Sequence, residues 1–532
     1  MKNKKLKILF LYPNLNMSTL VPNAISILTA TLKQAGFNNI DLFDTTFYQS
    51  DGLSKDEDRV KVGQVQPFNF DERDIKLKST DMYKDFVEKV NKFNPDIIFA
   101  SIVEDTYPIF INFMELIKNK KIKCLAGGVF PSSAPERVIK LDAVDYVCRG
   151  EGEGALVDLA NALEEGKDTS KIANLWVKKN GKILAKNPIR PALDVNTLPV
   201  QDLSIFEDIT LHRPMMGKIY RMAPVETQRG CPYACKFCNS PEKNELYQAQ
   251  GAGRFFRKRT MKHLHAELKE IISKFGIEYI FFITDTFLAM SEKEFDEFCE
   301  MYSEFKLPFF MNTRPETVTE RRAKKLKEVN CHRVNIGVEH GNHKFRSDVV
   351  GRAYKNEVAI KAFNYMYEAG ISTVSNNIVG YPDETRELIF DSIELARKLK
   401  CDDMNAFTFT PYHGTSLRDL CEKKKYLDKE RFMLTYGDGL CNVNINRLLK
   451  FHIKNKNYVT LTAVRPPARF GAIKIRGSRV NYFKEKSSLD EGWINGGFFV
   501  MEPKIFNFIR GDKTFLEREP LDIISKKNKL GA

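Results

Sequence analysis

No stretch of the chain approaches the ~18 consecutive apolar residues of a membrane-spanning helix, so no membrane span is expected. No secretory leader is expected either. The opening MKNKKLKILFLYP holds a short apolar core, below the ~7–15 residues such a segment needs. That core runs into Tyr-Pro-Asn rather than a small-residue cleavage site, and reads as a first strand. There is no disulfide framework: the 10 cysteines are irregularly spaced, as in a reduced protein, and the expected location is cytoplasmic. Histidine is scarce, and all 8 lie at or after His212. Nothing built from the residues before His212 can therefore offer an imidazole.

What is present fits a globular chain. At 532 residues it is too long for one hydrophobic core, and about two to four domains are expected. A hydrophobic content of 43% with 29% charged residues argues against dominant disorder. The net charge of +14 suits attraction to anions. The lysines are spread along the chain rather than gathered in a tail, which reads as a solvated basic surface. No RNA-binding module with interleaved aromatic and basic residues is evident, so no stable nucleic-acid partner is expected.

Residues 1–166 alternate strands and helices. LKILFLY (6–12), Ile40–Phe43, DIIFAS (96–101), KCLAGG (123–128) and VDYVC (144–148) read as strands. Helices are expected over 24–36, 82–93 and up to Gly166. Such alternation predicts a doubly wound parallel α/β sheet whose ligands sit off the carboxyl ends of its strands. Residues 167–222 hold a hairpin with Asn-Gly at its turn and a Pro-rich linker. From 223 to 428 the alternation restarts, with candidate strands at 223–228, 278–284, 308–313, 333–338, 373–379 and 404–410. Six βα repeats fit a partial barrel, although periodicity alone does not separate it from an open sheet. Residues 429–532 have a different, mixed character.

The loop after the first of these later strands reads TQRGCPYACKFC, with Cys231, Cys235 and Cys238. Three thiolates in one loop suit a soft metal. A tetrahedral structural zinc takes four ligands, usually as two pairs, and no second pair lies nearby. A trio instead matches an iron–sulfur cubane with one iron left free. Structural zinc and incidental thiols remain the alternatives. Cys299, Cys331, Cys401, Cys421 and Cys441 are scattered and read as inert thiols.

CPYACKFC resembles the CxxxCxxC signature of the radical S-adenosylmethionine (SAM) enzymes, with Phe237 before the third cysteine. FFITDTF (281–287), NIGVEHG (335–341), NNIVGYPDET (376–385) and FTFTPYHGT (407–415) resemble, in order, further strand-end segments of that family. The resemblance implies a 4Fe-4S cluster on Cys231, Cys235 and Cys238, with SAM on the open iron. It implies SAM contacts from Phe237, Asp285, Glu339, Val379 and Gly380, and reductive release of a 5′-deoxyadenosyl radical. Asp285 could instead cap a helix. Glu339 could be a solvated loop carboxylate, and His413 a surface variation where the family often has proline.

KILFLYPN, ASIVEDTYP, LAGGVFPSSAPE and VDYVCRGEGEGAL resemble the cobalamin-binding domain that precedes many radical SAM enzymes. The resemblance implies cobalamin contacts from Pro13, Ser101, Glu104, Gly127, Gly128, Gly150 and Glu151. Many cobalamin domains supply a histidine ligand from a DxHxxG motif, and this one cannot. The implied reaction is methylation of an unactivated carbon of a small-molecule substrate. A reductant such as flavodoxin or ferredoxin is implied with it. Some members instead rearrange or cyclise their substrates.

RFMLTYGDGLCNVNINRLLKFH, TAVRPPARFGAI, FKEKSS and GWINGGFFVMEP resemble the middle of glucose-1-phosphate cytidylyltransferases. Asp438 matches that family's metal-binding aspartate; Glu485, Lys486 and Asn495 match its sugar-phosphate contacts. The family's Gly-rich nucleotide loop and its second metal-binding aspartate are missing, so nucleotide transfer is not expected. Removed strands would also leave open sheet edges. A sugar-nucleotide or glycan-precursor substrate is suggested only by this tail. The competing readings are a cytidylyltransferase-related protein and a non-catalytic fusion.

Overall fold

The computed structural model describes residues 4–14, 21–48, 69–427, 432–435, 443–464, 472–476, 479–484, 494–509 and 514–532. The chain divides into two compact units, Met1–Arg418 and Asp419–Ala532.

Among its described residues the first unit contains two seven-stranded sheets. In the first sheet the strands are β1 (Ile8–Tyr12), β2 (Ile40–Asp44), β3 (Ile97–Ser101), β4 (Lys123–Gly127), β5 (Tyr146–Cys148), β6 (Leu175–Lys179) and β7 (Lys182–Lys186). Their order is β2-β1-β3-β4-β5-β6-β7. β1 to β5 run parallel. Strands such as ILFLY and IIFAS are buried almost throughout, as a parallel sheet covered on both faces requires. The hairpin turns at Asn180 and Gly181, both at positive φ, and adds β6 and β7 antiparallel to this sheet. The helix Met82–Phe93 begins at Asp81, whose carboxylate accepts from the Tyr83 and Lys84 amides. It ends on Asn94 in the left-handed region.

The second sheet is built from β8 (His212–Met215), β9 (Lys218–Val225), β12 (Tyr279–Phe282), β13 (Phe309–Thr313), β14 (Cys331–Glu339), β15 (Ser372–Val379) and β16 (Asp403–Thr408). A two-stranded ribbon, β10 (Gln228–Arg229) and β11 (Arg257–Lys258), lies apart from it. The six strands β9 and β12–β16 are parallel and in sequential order, forming a curled half-barrel. The sequence places the first strand at 223–228, but it begins at Lys218. There β8 and β9 pair as a hairpin through Met216 and Gly217, both at positive φ.

One hydrophobic cluster runs through both sheets, from Ile8 and Phe99 through Leu211 to Ala223, Phe309 and Val338. A second packs the other face of the first sheet around Phe86, Phe110 and Phe113. Burial on this scale, at roughly 25 cal/mol per Å² of apolar surface, is the main stabilising contribution.

The second unit has a four-stranded sheet ordered β17 (Phe432–Thr435), β21 (Ile494–Met501), β18 (Val459–Val464), β22 (Leu530–Gly531). β19 (Ala472–Arg476) and β20 (Arg479–Lys484) form a separate hairpin. Val459, Phe499, Met501, Ile505, Leu521 and Ile524 make its core. His452 is buried there between Thr460 and Glu502. No helix among the described residues is long and apolar enough to cross a membrane.

Candidate functional site

The cysteine loop leaves β9 and is fastened to the end of β12. The Thr227 hydroxyl lies 2.9 Å from that of Thr284, and Gln228 Nε2 donates to the Thr286 carbonyl at 2.6 Å. Cys231 and Cys235 are buried and Cys238 is half-buried. Cys231 Sγ lies 3.6 Å from Thr286 Oγ1, and Cys238 Sγ accepts from the Ser240 amide at 3.4 Å. Burial pushes the Cys231 thiol up, and the Cys238 thiol up to about 11.

Cys235 meets two guanidinium groups. Arg314 Nη1 donates to its Sγ at 3.1 Å, and Arg352 Nε at 3.3 Å. Arg314 follows β13 and lies 3.8 Å over the Tyr233 ring. Arg352 follows a π-helical turn, Arg346–Val350, and Gly351 at φ 80°. Two cations therefore meet on one sulfur. No three His, Cys, Asp or Glu side chains among the described residues are arranged around a single metal ion. The three cysteine sulfurs form no such group either, and of them Cys235 is the one that accepts from two guanidinium groups.

Glu339 ends β14 and is buried at φ 69°, a conformation a non-glycine residue holds only under constraint. The constraint comes from His340. Its Nε2 lies 2.9 Å from Glu384, and its carbonyl accepts from Arg346 at 2.6 Å. Glu384 also accepts from the Gly380 and Tyr381 amides, tying the end of β15 to the same corner. The Val379 carbonyl accepts from Phe409. Burial raises the Glu339 carboxyl, against Arg352 and Arg314, which favour its charge. Asp285 accepts from the Ser240 hydroxyl at 3.1 Å, beside Cys238. Phe237 lies under Arg352.

Of the residues picked out in the first domain, Ser101 and Gly127 are register neighbours at the carboxyl ends of β3 and β4. Pro13 directly follows β1. A Cβ on Gly128 would lie 2.6 Å from the Ile102 carbonyl, and one on Gly150 2.9 Å from the Tyr247 hydroxyl. Both glycines thus pack closely against protein neighbours. Glu104 is engaged by His413, whose Nδ1 lies 2.6 Å from Oε1 and whose amide donates at 2.9 Å. Burial alone would raise the Glu104 carboxyl, but His413 and Arg418 outweigh it and hold it low. Glu151 is held by Arg229 and Arg257. In the tail, Asn495 accepts from the Gly497 amide, while Asp438, Cys441, Glu485 and Lys486 lie outside the described residues.

Sequence reasoning missed Arg314, Arg352 and the His340–Glu384 pair. It weighed His413 only as a surface variation, yet the structure brings it to the ligand end of the first sheet. Tyr412 meets Asp105 there, and Ser133 meets Glu242.

Residues 18–160 match the family model of the B12 binding domain, and residues 225–396 that of the Radical SAM superfamily. The chain joins a B12-binding domain to a radical SAM domain. Residues 383–530 match the nucleotidyl transferase model. An uncharacterized methyltransferase of Pyrococcus horikoshii is 28% identical over 346 residues, 63% of this chain and 71% of that protein. The radical S-adenosylmethionine methyltransferase TsrM from Kitasatospora setae shares the fold, with a TM-score of 0.59 and 17% identity. That match covers 81% of this chain and 78% of TsrM, which has also been solved with cobalamin and a [4Fe-4S] cluster bound. Glucose-1-phosphate cytidylyltransferase of Salmonella typhimurium is 41% identical over 119 residues, 22% of this chain. The chain spans 46% of that relative's length.

Proposed function

We propose that this B12-binding radical SAM protein is a cobalamin-dependent methyltransferase acting on an unactivated carbon of a small molecule. The observation that carries the reading is the double guanidinium contact on Cys235, within a three-cysteine loop that reaches the ligand end of a B12-binding sheet. Cys231, Cys235 and Cys238 would hold a 4Fe-4S cluster. Phe237, Asp285, Glu339, Val379 and Gly380 would bound the SAM site. Pro13, Ser101, Glu104, Gly127, Gly128, Gly150 and Glu151 would line or support the cobalamin end. When bound, these groups supply a reductively generated adenosyl radical and a transferable methyl group.

The chain's own residues then bind, orient and exclude water. Arg314 and Arg352 balance the negative charge gathered at Cys235. Glu339 is held rigid for a polar partner, and Phe237 and Tyr233 shield the sulfurs. The electron would come from a flavodoxin or ferredoxin in the cytoplasm. A sugar nucleotide or glycan precursor is the substrate class the cytidylyltransferase-like tail suggests.

The test is anaerobic reconstitution with iron, sulfide and hydroxocobalamin, followed by reductant and SAM. Four irons, one cobalamin and 5′-deoxyadenosine per chain are expected, on the order of the cofactor stoichiometry such sites carry. Deoxyadenosine without bound cobalamin sinks the methyl-transfer mechanism. Neither cofactor sinks the reading altogether.

A further inference from the structure

Arg229 lies two residues before Cys231, yet its side chain faces the first domain. Nη1 is 2.8 Å from Glu151 and 2.7 Å from Glu153, both in the loop and helix start after β5. Nε and Nη2 donate to Glu226 at 3.1 and 3.0 Å. All four side chains are nearly buried. Arg257 pairs with Arg229 across the β10–β11 ribbon, and its Nη2 lies 2.6 Å from Glu151. The Glu151 amide donates to the Tyr247 hydroxyl at 3.2 Å, and Tyr247 belongs to the helix Ser240–Ala249 that follows Cys238. The loop after β5 is therefore gripped from both sides of the cysteine loop.

We propose that Arg229 is a positioning residue that locks the cysteine loop to the B12-binding domain, fixing the separation of the two cofactor sites. A planar guanidinium can serve three carboxylates at once, which a lysine ammonium does with less geometric definition. The inference rests on the reading of Cys231–Cys238 as the cluster loop.

The full chain, reconstituted with iron, sulfide and hydroxocobalamin, is compared with Arg229→Gln, Arg229→Lys and Glu153→Gln. Amide hydrogen exchange and low-temperature EPR of the reduced cluster are the readouts. Faster exchange in both 150–156 and 227–240, with an altered cluster signal partly restored by Arg229→Lys, is the expected result. Exchange that rises only within 227–231, or a cluster signal identical to the parent's, overturns the proposal. Should Arg229→Gln not yield folded protein, Glu153→Gln decides. It removes a partner on the other domain, and unchanged exchange at 227–240 then overturns the proposal. Exchange is also read on cluster-free chain, so its outcome is separate from whether SAM is cleaved.

Discussion

One guanidinium joins Cys235 to Glu339: Arg352 Nε donates to the cysteine sulfur at 3.3 Å, and its Nη2 lies 3.2 Å from the carboxylate. Burial alone would make Arg352 easier to deprotonate, but Glu339 and Cys235 hold its charge firmly. Arg352→Ala leaves a buried carboxylate without its partner, and a loss of about 3–5 kcal/mol is expected. Urea denaturation of the cluster-free protein checks this. A loss well under 1 kcal/mol would mean that the pair contributes little.

Each of Cys231→Ala, Cys235→Ala and Cys238→Ala is expected to abolish iron incorporation and deoxyadenosine formation while leaving cobalamin binding in place. Iron assay and the cobalamin absorption spectrum on the same preparation check it. Loss of cobalamin together with iron would show that the two sites do not load independently.

Glu104 gives a pH dependence with a definite sign. Its carboxyl is held below the ordinary 4.5 in the folded state. Its contribution is therefore present above that value and lost as pH falls through the folded-state value. Glu104→Gln should flatten the acid limb of the stability profile. His413→Ala should cost about 1–3 kcal/mol at neutral pH by stripping a half-buried carboxylate of its donor. Denaturation of both variants across the acid range checks this, and an unchanged acid limb in Glu104→Gln counts against the pairing.

The cysteine triad and the strands could be read directly because their signals are local. Spacing marks Cys231, Cys235 and Cys238, and burial on both faces marks runs such as ILFLY. The helix expected over 82–93 coincides with Met82–Phe93, capped by Asp81 and ending on Asn94. Arg314 and Arg352 gave no such signal. They lie 79 and 117 residues from Cys235 and reach it from the end of β13 and from the π-helical turn beyond β14. His413 was visible but mute, because the meaning of an imidazole depends on Glu104, which lies 309 residues away. The resemblance marks Gly127, Gly128 and Gly150 as cobalamin contacts. Packing adds, at Gly128 and Gly150, a close approach to Ile102 and Tyr247, a distinction that sequence alone does not draw.

Gly128 tests that distinction. It adopts φ 109°, and an added Cβ would press on the Ile102 backbone. Gly128→Ala is expected to destabilise the protein by about 1–3 kcal/mol even without cobalamin. A variant of parental stability that fails only to bind cobalamin would return Gly128 to the ligand.

The tail supports the last prediction. The second unit keeps its own core around Val459, Phe499 and Ile524, with β17 and β22 at the edges of its sheet. The cysteine loop, Arg314, Arg352, Glu339 and the B12-binding sheet all belong to Met1–Arg418. A chain ending at Arg418 should therefore bind iron and cobalamin and cleave SAM at the parental rate. The full chain is expected to show no turnover of CTP with glucose 1-phosphate, because the sequence before YGDG carries radical SAM motifs where that family's Gly-rich nucleotide loop would stand. Deoxyadenosine assays on the truncated chain and CTP-consumption assays on the full one check the two halves separately. If truncation lowers SAM cleavage without lowering iron content, the tail takes part in the radical chemistry.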